Sequence, residues 1–298
     1  MNRGTLPEGL LPLDKPVGLS SHDMVSLTRR SLGIRRVGHT GTLDPFASGL
    51  LLVFLGRSTR LVEYLHAFPK DYIACARLGV ATTTDDIEGE ITSKSDAWKG
   101  LSSGEISVAL EAFTGVTQQR PPDFSAKKMQ GRAAYVLARR GEEVSLTPVP
   151  VTIHGINLES LDLPDVRFRV RCSTGTYIRS LARDLGEYLG VGAHLTELRR
   201  LVIGPFHVDD ALGPEGLLDS AEIARAMLSP LDAISHLPRL EVTREEAIRL
   251  QSGQSLLLEE EAMPKGEGEH AVVFGSHLLA VAVREGRQIR PRKVFSLD

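Results

Sequence analysis

Cysteine is nearly absent from this sequence. Of 298 residues only two, Cys75 and Cys172, are cysteine, and neither belongs to a Cys-x-x-Cys pair. That excludes a disulfide framework and a cysteine-based zinc site. Long apolar runs are missing as well. The run Leu50–Leu55 spans six residues, which suits a buried strand, whereas a membrane-spanning helix needs about 20. The first residues, MNRGTLPEGLLPLDKP, hold no apolar signal core, so a cytoplasmic protein is expected. His-Glu-x-x-His, Walker A and Gly-x-Gly-x-x-Gly patterns do not occur, so neither a metal nor a nucleotide cofactor is expected. No internal repeat and no low-complexity tract is visible.

What is present is ordinary in amount and unusual in arrangement. The chain length sets a prior of two domains at about 150 residues each. With 42% hydrophobic and 24% charged residues it has the composition of a globular protein. Its 35 basic and 38 acidic residues leave a net charge of −3, which by itself argues against a nucleic-acid partner. Distribution argues the other way. Residues 1–80 carry 10 basic against 6 acidic residues, 113–140 carry 6 against 1, and 166–204 carry 7 against 3. The stretches between them are acidic. If the basic blocks converge they form a positive face, and phosphate binding depends on local lysine and arginine density. The alternative is an alternating, solvated surface.

Ser20 with Asp23 has the shape of a capping box, and the segment runs to Leu32 and stops at Gly33, so a helix is expected there. Ser102 with Glu105 repeats the pattern ahead of Ile106, Leu110 and Phe113 at helical spacing. Ile178, Leu181, Leu185 and Leu189 mark a further amphipathic helix, closed by Gly190. Strands alternate with these helices. Tyr72, Ala74, Ala76 and Leu78 share one strand face; Val166, Phe168, Val170 and Cys172 share another, with Arg167, Arg169 and Arg171 opposite. No regular strand–helix–strand repeat emerges, so a mixed sheet domain is expected. Residues 205–240 hold the breakers Gly213-Pro214, Ser229-Pro230 and Leu237-Pro238. Beyond about 239 come short strands, Ala271–Phe274, Leu278–Val283 and Lys293–Phe295, which predict a small β-barrel-like module.

Chemistry concentrates in Arg35–Leu55, RRVGHTGTLDPFASGLLLVFL. Gly38, Gly41 and Gly49 surround a single carboxylate, Asp44, placed before Pro45. Proline restricts the residue before it to extended geometry, and glycine permits close backbone approach to a ligand. A carboxylate on such a loop, at the mouth of a buried strand, is a good place for a nucleophile. The alternative is that Asp44 merely starts a turn.

Residues 38–51, G-H-T-G-T-L-D-P-x-A-x-G-L-L, resemble the catalytic motif of the TruB-type tRNA pseudouridine-55 synthases. Further segments match in order. Leu13-Asp14-Lys15-Pro16 with Gly18, Ser20 and Ser21 resembles the family's N-terminal motif. Tyr72 through Gly79, with Thr82, Thr84, Asp86 and Gly89, resembles the next. Ser125-Ala126 with Lys128, Gly131, Tyr135, Arg139 and Gly141 follows, then Gly175-Thr176-Tyr177-Ile178-Arg179, then Gly192–Leu195 with Leu198-Arg199-Arg200. Phe124, Lys127 and Thr83 depart from the family's commoner residues. The resemblance covers roughly residues 10–205, and the tail is more weakly similar to a PUA module.

The resemblance implies an α+β fold: a mixed, largely antiparallel sheet flanked by helices, with a small C-terminal β-barrel-like PUA module. It implies a catalytic domain over 1–238 and an RNA-binding domain over 239–298. The implied reaction isomerises a T-loop uridine of tRNA to pseudouridine without cofactor or metal. Asp44 would be the catalytic carboxylate, Arg179 its ionic partner and Tyr72 the ring beneath the uracil. His39 would fill the space vacated by the flipped base, and Leu198 would shape the pocket. Lys15 would support the pocket or a phosphate. Lys128 and Arg132, with Lys127, Arg139, Arg140 and the outward arginines of 166–172, are candidate phosphate contacts. The implied partner is the T-loop and stem of tRNA; no membrane and no obligate protein partner is expected, and with no long apolar seam in the sequence a monomer is expected. A guide-RNA-dependent pseudouridine synthase, a non-catalytic RNA chaperone and an N-glycosylase remain open as alternatives.

Overall fold

The computed structural model describes residues 8–125, 127–129, 131–138, 140, 142, 146–258 and 266–295. A nine-stranded sheet forms the body. Its main path runs Gly9–Lys15, Ser48–Leu55, Ala193–Ile203, Lys70–Leu78, Asp165–Cys172, Val149–Asp162 and Gly115–Gln119. Val37–Thr40 pairs with Ser48–Leu55, and Phe206–His207 with Ala193–Ile203. All of these pairings are antiparallel except one short parallel contact, Arg199 and Arg200 against Ser48 and Gly49.

Local sequence explains the elements. Helix Ser21–Leu32 begins at a capping box of Ser20 and Asp23 and ends on Gly33 in the left-handed region, φ 65°. Helix Ser103–Glu111 opens with the expected Ser102–Glu105 box, and Ile178–Tyr188 is the expected third helix. The run Leu50–Leu55 is apolar throughout because both faces of its strand are covered. Leu51, Val53 and Leu55 pack toward helix Ser21–Leu32; Leu50, Leu52 and Phe54 pack on the opposite side. Each such buried aliphatic or aromatic side chain contributes about 1.5–3 kcal/mol. The largest core cluster lies between helices Ser103–Glu111 and Ile178–Tyr188 and the strands carrying Ala74, Phe168 and Leu195.

A second sheet begins at Arg239. Its five strands run Arg239–Glu241, Gly268–Phe274, His277–Glu285, Gln288–Val294 and Leu256–Leu257. The last long strand starts at Gln288, earlier than the expected Lys293. This sheet has its own core around Leu250, Val272 and Ile289. It also shares a core with the body: Val273, Leu278, Val281 and Phe295 pack with Phe54, Leu61 and Leu65. Among the described residues no helix is long and apolar enough to cross a membrane.

Candidate active site

Asp44 sits on the loop between strands Val37–Thr40 and Ser48–Leu55, and that loop is pinned from several sides. The Asp44 carbonyl accepts from Ala47 N, so Asp44-Pro45-Phe46-Ala47 is a turn with proline in its second position. Leu43 and Phe46 flank the carboxylate and are buried in the core. Ser21, the first helical residue, donates its hydroxyl to Leu43 O at 3.1 Å and accepts from Leu43 N at 2.8 Å. Gly18 N donates to Pro45 O at 2.8 Å. Lys15, fully buried at the end of its strand, donates Nζ to the carbonyls of Pro16, Leu19 and Pro45. Burial pulls the Lys15 ammonium down to about 8, against the attraction of the Asp44 carboxylate. The Lys15–Ser21 segment therefore acts as the bracket of the Asp44 loop.

Arg200 supplies the other bracket. It is buried, lies across from Tyr72 in the antiparallel ladder, and donates to Leu50 O at 2.7 Å and Gly41 O at 3.1 Å. Gly49 is required by this arrangement. Its φ is 103°, and a Cβ there would lie 2.2 Å from the Arg200 carbonyl oxygen.

The turn reading of Asp44 holds only for its backbone. Its side chain meets Arg179, with Nε 3.0 Å from Oδ2. Arg179 is the second residue of helix Ile178–Tyr188. A cation there is disfavoured by the helix dipole, and its partners offset this. The same guanidinium donates to Asp86 Oδ2 at 3.1 Å, Thr84 O at 2.9 Å and Phe124 O at 3.0 Å. Asp86 in turn accepts from the Thr84 hydroxyl and from Glu88 N at 2.9 Å. The Arg179 and Asp86 side chains are 6% and 3% exposed, while Asp44 is 35% exposed. One carboxylate thus holds the arginine from behind, and the other faces the open side.

That open side is a pocket of about 350 Å³ lined by Asp44, Tyr72, Arg179, Leu198 and Arg200 among others. An arginine beside a carboxyl is expected to lower its pKa. Arg179 does pull in that direction, but burial is the larger influence and Asp86 adds to it, so Asp44 titrates above the ordinary aspartate range. Burial also pushes the Tyr72 phenol up, with the Arg200 cation opposing, which keeps it a proton-bearing donor at neutral pH. Among the described residues no group of three His, Cys, Asp or Glu side chains is placed to hold a metal ion.

The structure therefore brings together Asp44, Tyr72, Arg179 and Leu198. Lys15 lies behind the loop. His39, on the strand leading into it, is partly buried with Nδ1 lacking a hydrogen-bond partner. Burial and then the Arg200 cation push its imidazole down. Arg132 is exposed on a two-residue strand and does not line the pocket. Arg139 and the Lys128 side chain lie outside the described residues. Arg167 pairs with Glu197, and Arg169 and Arg171 both reach Asp71, so the outward arginine row is already partnered by acids.

Residues 29–178 match the family model described as TruB family pseudouridylate synthase, N-terminal domain. Residues 179–235 match the tRNA pseudouridylate synthase B C-terminal domain. The chain belongs to the TruB family. A tRNA pseudouridine synthase B of Leifsonia xyli subsp. xyli is 42% identical over 302 residues, covering 99% of each chain. One of Geobacter sulfurreducens is 44% identical over 249 residues, covering 83% of this chain and 82% of that one. In solved structures, the archaeal box H/ACA Nop10–Cbf5 complex aligns over 98% of this chain and 87% of that one. Its TM-score is 0.73 and its identity 25%. That likeness agrees with the mixed α+β body and the separate C-terminal sheet.

Sequence reasoning gives no role to two residues that this TruB-family site depends on. Asp86 is visible there only as a member of the matching stretch from Tyr72 to Gly89, and Arg200 only as the end of the matching Leu198-Arg199-Arg200. Nothing local marks either for burial, since arginine and aspartate are almost never fully buried unless paired.

Proposed function

We propose that this chain is a tRNA pseudouridine synthase that isomerises the T-loop uridine, with Asp44 as its catalytic carboxylate. The observation that supports this best is a lone pocket-facing carboxylate gripped by an arginine that a second, buried carboxylate locks in place. A base inside a folded stem-loop cannot reach such a pocket, so the nucleotide flips out at a cost of a few kcal/mol. Asp44, ionised, starts cleavage of the bond between C1′ and N1. The uracil stays in the pocket and turns, a C1′–C5 bond forms, C5 loses its proton to solvent and N1 gains one. Product and substrate are isomers, so no redox partner enters. Trapping the free base requires that water be kept out, and the apolar walls Leu43, Leu198 and Ile178 suit that task.

Tyr72 lies beneath the base, and its neutral phenol relays the C5 proton, accepting it on oxygen as the hydroxyl proton passes outward to solvent. Arg179 orients Asp44 and keeps it charged against its burial. Lys15 is a positioning residue that holds the Pro45 carbonyl and hence the turn. Leu198 shapes the pocket, and His39 takes the space that the flipped nucleotide leaves. Lys128 and Arg132 are phosphate contacts for the T-arm. We assign residues 1–238 to catalysis and 239–298 to an RNA-binding PUA-like module, acting as a monomer on tRNA.

The test is tritium release from an unmodified tRNA transcript labelled at C5 of uridine, with no guide RNA present. Wild-type protein is expected to release one tritium per tRNA, mapped to the T-loop. Asp44→Asn is expected to abolish release, by at least about 10³-fold, while tRNA binding persists. Full activity in Asp44→Asn overturns the assignment. Release that depends on an added guide RNA supports the guide-dependent alternative instead.

A further inference from the structure

The segment after the buried strand Ser48–Leu55 is a 3-10 run, Gly56–Leu65. Runs of this geometry beyond three or four residues are uncommon, because their hydrogen bonds are poorly aligned. Such a run takes its position from what packs against it. Here that is the body strands Val37–Thr40 and Ser48–Leu55 together with the second sheet. Leu61, Tyr64 and Leu65 share a core with Val281 and Phe295. Polar contacts close the same seam. Lys293 donates Nζ to the Arg60 carbonyl, pairs with the Glu63 carboxylate, and lies 4.9 Å from the centre of the Tyr64 ring. Arg60 answers by donating to Val294 O at 2.7 Å, with its guanidinium 5.4 Å from the centre of the Phe295 ring.

The far end of the run is a wall of the catalytic pocket. Leu65 and His66 line it. The His66 carbonyl accepts from Lys70 Nζ and from the Thr174 hydroxyl, and these two side chains also hydrogen-bond each other. Thr174 begins the Thr174–Tyr177 loop that delivers Arg179. A contiguous chain of contacts therefore joins the end of the second sheet to the pocket wall formed by Leu65 and His66.

We infer that Lys293 is a positioning residue for the isomerisation, clasping the Gly56–Leu65 run through Arg60 and Glu63 so that Leu65 and His66 hold the pocket wall in place. The C-terminal module thus acts on the chemical step as well as on RNA. This inference rests on the reading that the pocket performs the isomerisation, and wild-type tritium release checks that reading separately.

The experiment compares Lys293→Met, Lys293→Arg and Glu63→Gln in the full chain. It reads tRNA affinity, the single-turnover rate of tritium release at saturating enzyme, and the thermal midpoint as a folding check. Lys293→Met is expected to lower the saturating rate on the order of fivefold to tenfold, with affinity within about twofold of wild type. Lys293→Arg, which keeps a donor and the charge, is expected to restore most of the rate. Glu63 is 61% exposed, so Glu63→Gln leaves the fold intact. It is expected to slow the saturating rate in the same direction, and the double variant Lys293→Met/Glu63→Gln to add little. Removing a negative charge favours RNA binding, so a slower rate in Glu63→Gln has no origin in lost phosphate contact. If Lys293→Met weakens tRNA binding but leaves the saturating rate unchanged, or if Glu63→Gln reacts at the wild-type rate, the inference is overturned.

Discussion

Arg179 and Arg167 are both arginines held beside carboxylates, one inside the pocket and one on the open face of the sheet. Arg179 with Asp86 is 6% and 3% exposed; Arg167 with Glu197 is 42% and 64% exposed. The distances are similar, 3.1 Å and 2.8 Å. What differs is the solvent. Outside, water screens the pair, and such pairs typically contribute about 0–1 kcal/mol. Inside, desolvation is expensive, and the buried charges persist only because the guanidinium is matched by two carboxylates and two carbonyls. The inner group is thereby held in one orientation. It also holds Asp44 where burial raises its pKa and Arg179 restrains the rise. Ion-pair distance alone does not separate the pocket fork from the surface row; burial and the completeness of the hydrogen bonding do.

Beyond Asp44→Asn, the change expected to break this contrast most is Asp86→Asn. It leaves the Arg179 guanidinium with one carboxylate instead of two and frees it to turn. The saturating rate should fall on the order of 10²-fold and stability by about 1–3 kcal/mol, read by single-turnover tritium release and by thermal unfolding. Wild-type values for both would mean that the buried carboxylate does not orient the arginine.

A smaller effect comes from pH. In the proposed role of Asp44 its protonated form cannot start the reaction, so the saturating rate should fall as pH drops through its raised pKa. The loss should therefore set in above the range of an ordinary aspartate. For stability the sign is opposite. The folded state binds this proton more tightly than the unfolded chain, so the contribution of Asp44 becomes less favourable as pH rises through that window. A rate profile that stays flat down to the ordinary aspartate range would contradict the raised pKa.

The smallest effect belongs to the outer row. Arg167→Gln should change stability by no more than about 0.5 kcal/mol and leave the saturating rate untouched. A rate loss there, measured in the same assay, would show that the outer row is coupled to the pocket.

Much of this protein is legible in its amino-acid sequence. The capping boxes at Ser20 and Ser102, the stop at Gly33 and the alternation along 166–172 are local signals, because caps and strand periodicity depend on residues only a few positions apart. The motif around Asp44 is contiguous, so it is legible too, as is the change of texture near 239. The 3-10 run Gly56–Leu65 carries no comparable signal, since its geometry depends on what packs against it, the body strands Val37–Thr40 and Ser48–Leu55 together with the second sheet.

Local residue patterns account for three of the helices, several strands, the motif that places the chain in its family and the Asp44 carboxylate that we propose starts the reaction. Partnership arises only in three dimensions. Asp44 is separated from Arg179 by 135 positions, and Asp86 by 93. Lys15 braces the loop from behind, and the outer arginines are already paired. These outcomes depend on how strands distant in sequence become neighbours in the sheet and on how much water the packing leaves around each charge. Desolvation is a property of the surroundings in space, so no local pattern of residues encodes it.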